Sequence, residues 1–370
     1  MEKTKRPEKP DRPDRLDKSE KPEKPERPKK PKKTKEEKKK TAAKIRKIIG
    51  RALAVLLALV LLAAAAVFLL PLTERVDGTE VPDSADWMAE LDDDLPLTSV
   101  TLPGTHNSGT QYAQFAFFSK CQALTVREQL EAGYRYLDIR LDGDDDYLKL
   151  THGFTECRIT AFGKDILTLA DVLEDCYIFL DEHPTEAVAF VVKQESGDLS
   201  VGDIQWMLDA EIGEDMDRWV LSEPVPTVGE ARGKLVLFRR WEDEAGLGTD
   251  SGIPFGWKDQ GGSADPTEDA EANYPGELVL WVQDRYEYGI RDKWASFTEG
   301  LDTGVGEGEA AVHFLSTKGP LKYGHPYHFA RSLNKKLLRC ELPEDGPLGW
   351  IVVDFGSAVL AEHIYEQNFR

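Results

Sequence analysis

Cysteine is scarce in this chain, four residues in 370, at positions 121, 157, 176 and 340. None of them falls in a CxxC or Cys/His spacing of the kind that holds a metal, so no structural metal is expected. Free thiols and disulfides, in any of the three full pairings that four cysteines allow, both stay open. Basic charge is in short supply beyond residue 51. The first 51 residues hold 22 of the 47 Lys and Arg against 10 of the 67 Asp and Glu, leaving 25 against 57 for the rest, a net of +12 followed by a net of −32. The acidic part has no basic face, which excludes nucleic acid as its partner.

Charge of either sign is missing from ALAVLLALVLLAAAAVFLL, residues 52–70. As a helix rising about 1.5 Å per residue this run spans roughly 28 Å, the thickness of a bilayer core. A cleaved signal peptide is the rival reading, but about fifty polar residues precede the run and no convincing small-x-small site follows it. Lys44, Arg46, Lys47 and Arg51 flank its N-terminal end, and the positive-inside tendency keeps what precedes it in the cytoplasm. The expectation is a single-pass protein of the cell membrane with its N-terminus cytoplasmic and the larger part outside.

Four regions follow: a tail at 1–47, a signal-anchor helix at 48–71, a juxtamembrane linker with an acidic helix at 72–95, and a folded domain at 96–370. The tail carries prolines at every third position among Lys, Glu, Asp and Arg, a composition that cannot offset its chain entropy and reads as disordered with polyproline II character. Its basic part, KKPKKTKEEKKK, is suited to anionic headgroups on the inner leaflet.

From residue 96 onward short apolar runs alternate with longer amphipathic segments, the signature of α/β units. The runs TSVTL (98–102), YRYLDIR (134–140), AVAFVV (187–192), KLVLFRR (234–240), ELVLWVQD (277–284), AVHFLS (311–316) and GWIVVD (349–354) read as strands. TVREQLEAG (125–133) reads as a helix stopped by Gly133, and TLADVLEDCYIFLDEHP (168–184) as a longer one. Nearly every strand runs into a charged or titratable residue: His106, Arg140, Lys193, Arg240, Asp284 and Asp354. In a parallel barrel the C-terminal ends of all strands meet at one mouth, where such groups can act together.

LPGTHNSGT, REQLEAGYRYLDIR, THGF and LEDCYIFLDEHPTEAVAFVVKQE, followed by ARGKLVLFRRW, GW, VQDRY and GWIVVDF in that order, resemble the catalytic X-type domain of phosphatidylinositol-specific phospholipase C in its bacterial form. The resemblance covers about residues 96–365. It implies a distorted TIM-like (β/α) barrel that cleaves a glycerophosphoinositol lipid to diacylglycerol and a cyclic inositol phosphate, with phosphatidylinositol or a glycosyl-inositol lipid as substrate. It also implies roles: His106 as general base, Asp354 as its orienting carboxylate, His152 as general acid, Arg140 on the phosphate, and Asp138 positioning Arg140 or His152. Lys193, Arg240 and Asp284 would bind the inositol hydroxyls, Tyr286 would stack under the ring, and Trp257 would line the mouth or touch lipid. The remaining histidines follow no pattern that connects to chemistry.

The calcium-dependent branch of that family has carboxylates where this chain has Arg140 and Lys193. Two cations there remove a site for a hard ion that needs six to eight oxygens, so neither metal nor cofactor is expected. Asn107 departs from the metal-free branch, where Asp follows the first histidine, and this substitution weakens the expected support for Arg140 and His152. A lipid- or glycan-binding module on the same barrel is therefore the alternative. A metal-dependent glycerophosphodiesterase lacks the paired carboxylates it would need. The acidic stretch DGDDDY (142–147) reads as a solvated hairpin turn.

Overall fold

The computed structural model describes residues 34–144, 146–241, 251–261, 270–271, 278–306, 308–320, 324–344 and 346–370. The expected disordered tail lies outside the described residues as far as position 33. From there the chain is already helical: one helix runs Lys35–Leu69, starting well before the expected residue 48. The cause is local. Thr34 caps it, its backbone N–H and hydroxyl reaching the Glu37 carboxylate at 2.8 and 3.2 Å, and Glu36 pairs with Lys40 one turn on. Lys, Glu and Ala are good helix formers, so composition and capping carry the helix through the charged stretch. Two compact units result, Met1–Leu61 and Leu62–Arg370.

The second unit is a curled sheet wrapped by helices. Its twelve strands are β1 (Pro103–Thr105), β2 (Tyr136–Gly143), β3 (Leu148–His152), β4 (Thr155–Glu156), β5 (Val188–Gln194), β6 (Trp219–Val220), β7 (Leu235–Arg239), β8 (Ile253–Pro254), β9 (Ala270–Glu271), β10 (Val279–Gln283), β11 (Glu309–Phe314) and β12 (Trp350–Val353). They run in the order β6-β7-β5-β2-β1-β12-β11-β10-β9, parallel from β6 through β10, with β3 antiparallel on β2 and β8 parallel beside β7. Among the described residues β6 and β10 are not joined, which makes this a distorted TIM-like barrel.

Alternation along the strands sorts the two faces. Leu137, Ile139, Val188, Phe190, Val192, Leu235 and Leu237 face outward onto the helix Leu169–Glu182 and its neighbours. Tyr136, Val191, Val236, Phe238, Val282, Val312 and Trp350 face inward and fill the barrel, with Trp350 packed against Tyr136 and Phe238 at ring distances of 5.6 and 5.2 Å. The inward series continues upward with the period of two. It reaches Asp138 and Arg140 on β2, and residues 193, 240, 284 and 354 at or just past the ends of β5, β7, β10 and β12. The barrel is thus apolar below and charged in its last layer. Gly104 on β1 permits this filling, since a Cβ there would lie 2.8 Å from the Tyr136 ring.

Several expectations shift. The first strand is PGT rather than TSVTL: Leu97–Ser99 forms a 3-10 turn, and Pro103 opens the strand at the one position where its missing N–H is tolerated. No α-helix lies within 72–95, where 3-10 turns at Leu70–Thr73 and Trp87–Glu90 take its place. There the chain is used to cover the barrel. Trp87 stacks on Tyr365 at 4.9 Å, and Met88 N–H points at Glu186, which forms a fully buried ion pair with Arg135. The turn after β2 behaves as a hairpin, Asp142 and Asp144 lying near Lys149, with Asp145 outside the described residues. All four cysteines are free thiols, and only Cys340 is not buried.

Candidate active site

The loop after β1 is held by its own hydroxyls. Thr105 and Ser108 bond at 2.8 Å, Ser108 Oγ accepts from the Asp138 N–H, and Thr110 Oγ1 donates to the Asn107 carbonyl. Asn107 takes a left-handed backbone conformation (φ 48°), which aims its N–H at Asp138 Oδ2, 3.0 Å away. His106 is thereby fixed at the mouth. Its Nδ1 lies 2.7 Å from Asp354 Oδ1, a carboxylate delivered by the end of β12 and almost wholly buried. With Nδ1–H donated to that carboxylate, Nε2 carries the lone pair. The Asn107 amide lies 3.1 Å from that same Nε2, so this residue touches the imidazole, not Arg140.

His152 ends β3 and faces His106 edge-on, with ring centroids 6.0 Å apart. Its Nδ1 donates to the Ser119 carbonyl at 2.8 Å, leaving Nε2 for chemistry. Burial, the His106 charge and Arg140 lower its pKa, against an opposing pull from Glu195.

Arg140 donates through Nε to Asp138 Oδ2 and through a terminal nitrogen to Glu195 Oε2, both at 3.0 Å. Burial works to lower the guanidinium, but Asp138, Glu195 and Asp284 prevail and raise it, so it stays a cation. Asp138 is fully buried. Burial alone would raise it, yet Arg140, His106 and Arg240 hold it below the ordinary carboxylate value. Of its two expected partners it bonds Arg140; His152 is held from the other side by Ser119.

Glu195 is the residue that the sequence reading passed over. It accepts from Arg140, from Lys193 Nζ at 3.1 Å and from the Gly153 N–H at 3.1 Å. Arg140, Lys193 and His152 outweigh its burial and hold it well below the usual range. The signal was available: it stands two residues after Lys193 and so shares its face. Gln122, which bonds the carbonyls of His106 and Val353, offered none.

Arg240 lies 3.7 Å from Asp138 Oδ1 and 3.5 Å above the Trp257 ring, whose Nε1 donates to Asp284 Oδ2 at 3.2 Å. Trp257 is a buried spacer between two charged groups and not a lipid-facing side chain. A chain of contacts thus joins Glu195, Arg140, Asp138, Arg240, Trp257 and Asp284 across the mouth. Tyr286 stands apart from it, its hydroxyl on Asp259 and its ring beneath Lys318.

Two imidazoles, one hydrogen-bonded to a carboxylate, and a guanidinium held on two sides thus stand in one layer. Such a barrel and site define an enzyme of phosphoric diester cleavage. Residues 96–212 match the family model PI-PLC X 1. The chain is 26% identical over 293 residues to a 1-phosphatidylinositol phosphodiesterase of Staphylococcus aureus, covering 74% of this chain and 88% of that one. A PI-PLC X domain-containing protein 2 of Homo sapiens is 31% identical over a shorter stretch, 28% of this chain and 42% of the human one. Among solved structures, a phosphatidylinositol-specific phospholipase C of S. aureus superposes with a TM-score of 0.61 at 24% identity, over 76% of this chain and 97% of the other. The enzyme of Listeria monocytogenes does so with 0.58 at 20%, over 77% and 98%. These superpositions establish the barrel.

Proposed function

We propose that the protein is a membrane-anchored phospholipase C that cleaves phosphatidylinositol or a glycosyl-inositol lipid to diacylglycerol and a cyclic inositol phosphate. His106 Nε2 takes the proton of the inositol 2-hydroxyl, whose oxygen attacks phosphorus. Asp354 stabilises the imidazolium that forms. Arg140, held on both sides, meets the charge that grows on the phosphate oxygens. His152 gives its proton to the departing diacylglycerol oxygen. Lys193, Arg240 and Asp284 hold the inositol hydroxyls. Phe115 and Phe154, exposed beside the loops that carry Ser119 and His152, offer a surface for acyl chains. The apolar helix anchors the chain in the cell membrane with the barrel outside.

The observation that carries this reading is the His106–Asp354 pair facing His152 across 6.0 Å. Full-length protein in mixed micelles with phosphatidylinositol should release cyclic inositol phosphate, followed by phosphorus NMR, at the same rate with and without a chelator. His106→Ala should lower the rate by at least about a thousandfold, as loss of a general base together with its oriented partner does. A rate that falls when metal is chelated would refute the metal-free mechanism. The Asn107 amide on the base favours a second reading, a binding module of weak turnover: wild-type protein that binds the lipid and releases nothing would establish it.

A further inference from the structure

Cys121 has no place in the reaction above, yet its thiol lies within the catalytic layer. It is buried, its N–H donates to Thr110 Oγ1, and its carbonyl accepts from the Phe355 N–H just past Asp354. The Cys121 backbone is therefore pinned on both sides. Its sulfur is 3.7 Å from His152 Nδ1. One donor atom each from His106, Cys121 and Asp354 lie within 4.8 Å of one another. A thiol, an imidazole and a carboxylate at such separations are the donor set that a thiophilic divalent cation takes in a tetrahedral site.

We infer that His106, Cys121 and Asp354 form an inhibitory site for Zn²⁺ or a cation of the same class, and that occupancy switches the enzyme off. This rests on the proposed phospholipase reading for its consequence, and on geometry alone for the binding. Bonds of about 2.3 Å to sulfur and about 2.0–2.2 Å to nitrogen and oxygen require neighbouring donors to stand a little over 3 Å apart. His106 Nδ1 and Asp354 Oδ1, now 2.7 Å apart, need to part slightly, and the sulfur needs to move in. Water from the mouth, which His106 reaches with its half-buried ring, completes the fourth position. The site uses none of Asp138, Arg140, Lys193 or Glu195.

The proton inventory explains the inhibition. In the form that can act as base, the imidazole carries its proton on Nδ1, toward Asp354, and the cysteine is a thiol. The metal takes the Nδ1 lone pair, so that proton shifts to Nε2, the atom that must accept from the inositol hydroxyl. The thiol loses its proton to solvent and binds as thiolate. One proton leaves, no electron moves, and cation, thiolate and carboxylate sum to zero charge in a desolvated place. A base protonated at Nε2 cannot start the reaction. The other such group, Glu131, Glu182 and His183, lacks sulfur and lies outside the site described above.

The test uses the full-length protein in mixed micelles. Zn²⁺ should inhibit phosphatidylinositol cleavage reversibly, and a chelator should restore it. In Cys121→Ser the inhibition constant, taken against that variant's own metal-free rate, should rise at least about tenfold, because a hydroxyl is a poor ligand for this class of ion. Cys340→Ser, on the far surface, should leave it unchanged. A readout that needs no turnover accompanies this: Co²⁺ should bind one per chain with the intense visible bands of a tetrahedral site and a near-ultraviolet thiolate charge-transfer band, both absent in Cys121→Ser and kept in Cys340→Ser. The inference is overturned by equal inhibition in Cys121→Ser and wild type, or by wild-type spectra without the thiolate band. Should the protein cleave no lipid, the Co²⁺ spectrum still decides the site. If Cys121→Ser fails to fold, as judged by circular dichroism, Cys121→Ala takes its place.

Discussion

At the scale of single residues the site is an exercise in holding charge where burial opposes it. Asp138 and Glu195 stay anionic because Arg140, Lys193 and Arg240 surround them, and Arg140 stays cationic for the reciprocal reason. His152 is the exception. Burial and the neighbouring cations depress it below its ordinary 6.5, yet the role proposed for it, general acid, requires it to carry its proton. In the free enzyme the competent fraction therefore falls as pH rises through a value below 6.5, and this should set the alkaline limb of kcat/KM. A bound phosphodiester adds negative charge nearby and favours the protonated ring, so the alkaline limb of kcat should stand higher. Paired pH profiles measure both limbs. A kcat/KM that stays level through pH 8 would remove His152 from the acid's role. These charged residues were readable in the sequence, because each ends an apolar run. Glu195 lies one inward step beyond Lys193, past the end of the apolar run, and only the period of two marks it. The bond between Asn107 and His106 was unreadable, because it depends on a left-handed backbone that asparagine tolerates and the sequence does not announce.

At the scale of elements, six of the seven apolar runs correspond to β2, β5, β7, β10, β11 and β12, and the two helices stand near their expected bounds, because each carries its signal locally. Alternation marks the strands, and Thr125 and Thr168 close capping boxes that start the helices. What the sequence hid is what long-range contacts decide. Residues 72–95 looked like a linker with an acidic helix, but Glu74 is buried between His325 Nε2 at 3.1 Å and Lys120 Nζ at 3.6 Å, and Tyr327 donates to the Arg75 carbonyl. His325 also stacks on Phe117 and donates to its carbonyl. Burial tends to lower His325, but the bonds to Glu74 and Phe117 and the Glu74 charge prevail and raise it above 6.5. A raised histidine stabilises the docked segment below its unfolded value and loses that contribution as pH rises through the folded one. Amide exchange of residues 72–76, corrected for the intrinsic rate, should thus be slower at pH 6 than at pH 8.5. Glu74→Gln should erase the difference and weaken protection by about 3 kcal/mol, the lower end for breaking a buried pair. Equal protection factors at the two pH values in the wild type would show that the imidazole plays no part in the docking.

At the scale of the whole molecule the salient fact is the division of charge, +12 over the first 51 residues and −32 over the rest. An acidic barrel is repelled by an anionic surface, and phosphatidylinositol is itself anionic, so free approach to the substrate is opposed by long-range electrostatics. The proposed anchoring of the apolar helix in the same bilayer would change the terms: it would supply a local concentration of substrate that diffusion against the field would not. The two situations differ in their response to salt. Full-length protein reconstituted in vesicles that also hold phosphatidylinositol, acting in cis, should cleave it at nearly the same rate at low and at physiological ionic strength. The same protein in vesicles of neutral lipid, presented with phosphatidylinositol in separate vesicles, acts in trans. There the rate should rise with salt as the Debye length shrinks from about 30 Å at 0.01 M to about 8 Å at 0.15 M. Electrostatic steering normally produces the opposite slope, so the sign of the trans dependence is decisive. A trans rate that falls with salt would mean that a local basic surface, and not the net charge, governs the approach to lipid, and a cis rate that follows the trans one would mean that the helix does not hold the barrel to the membrane it acts upon.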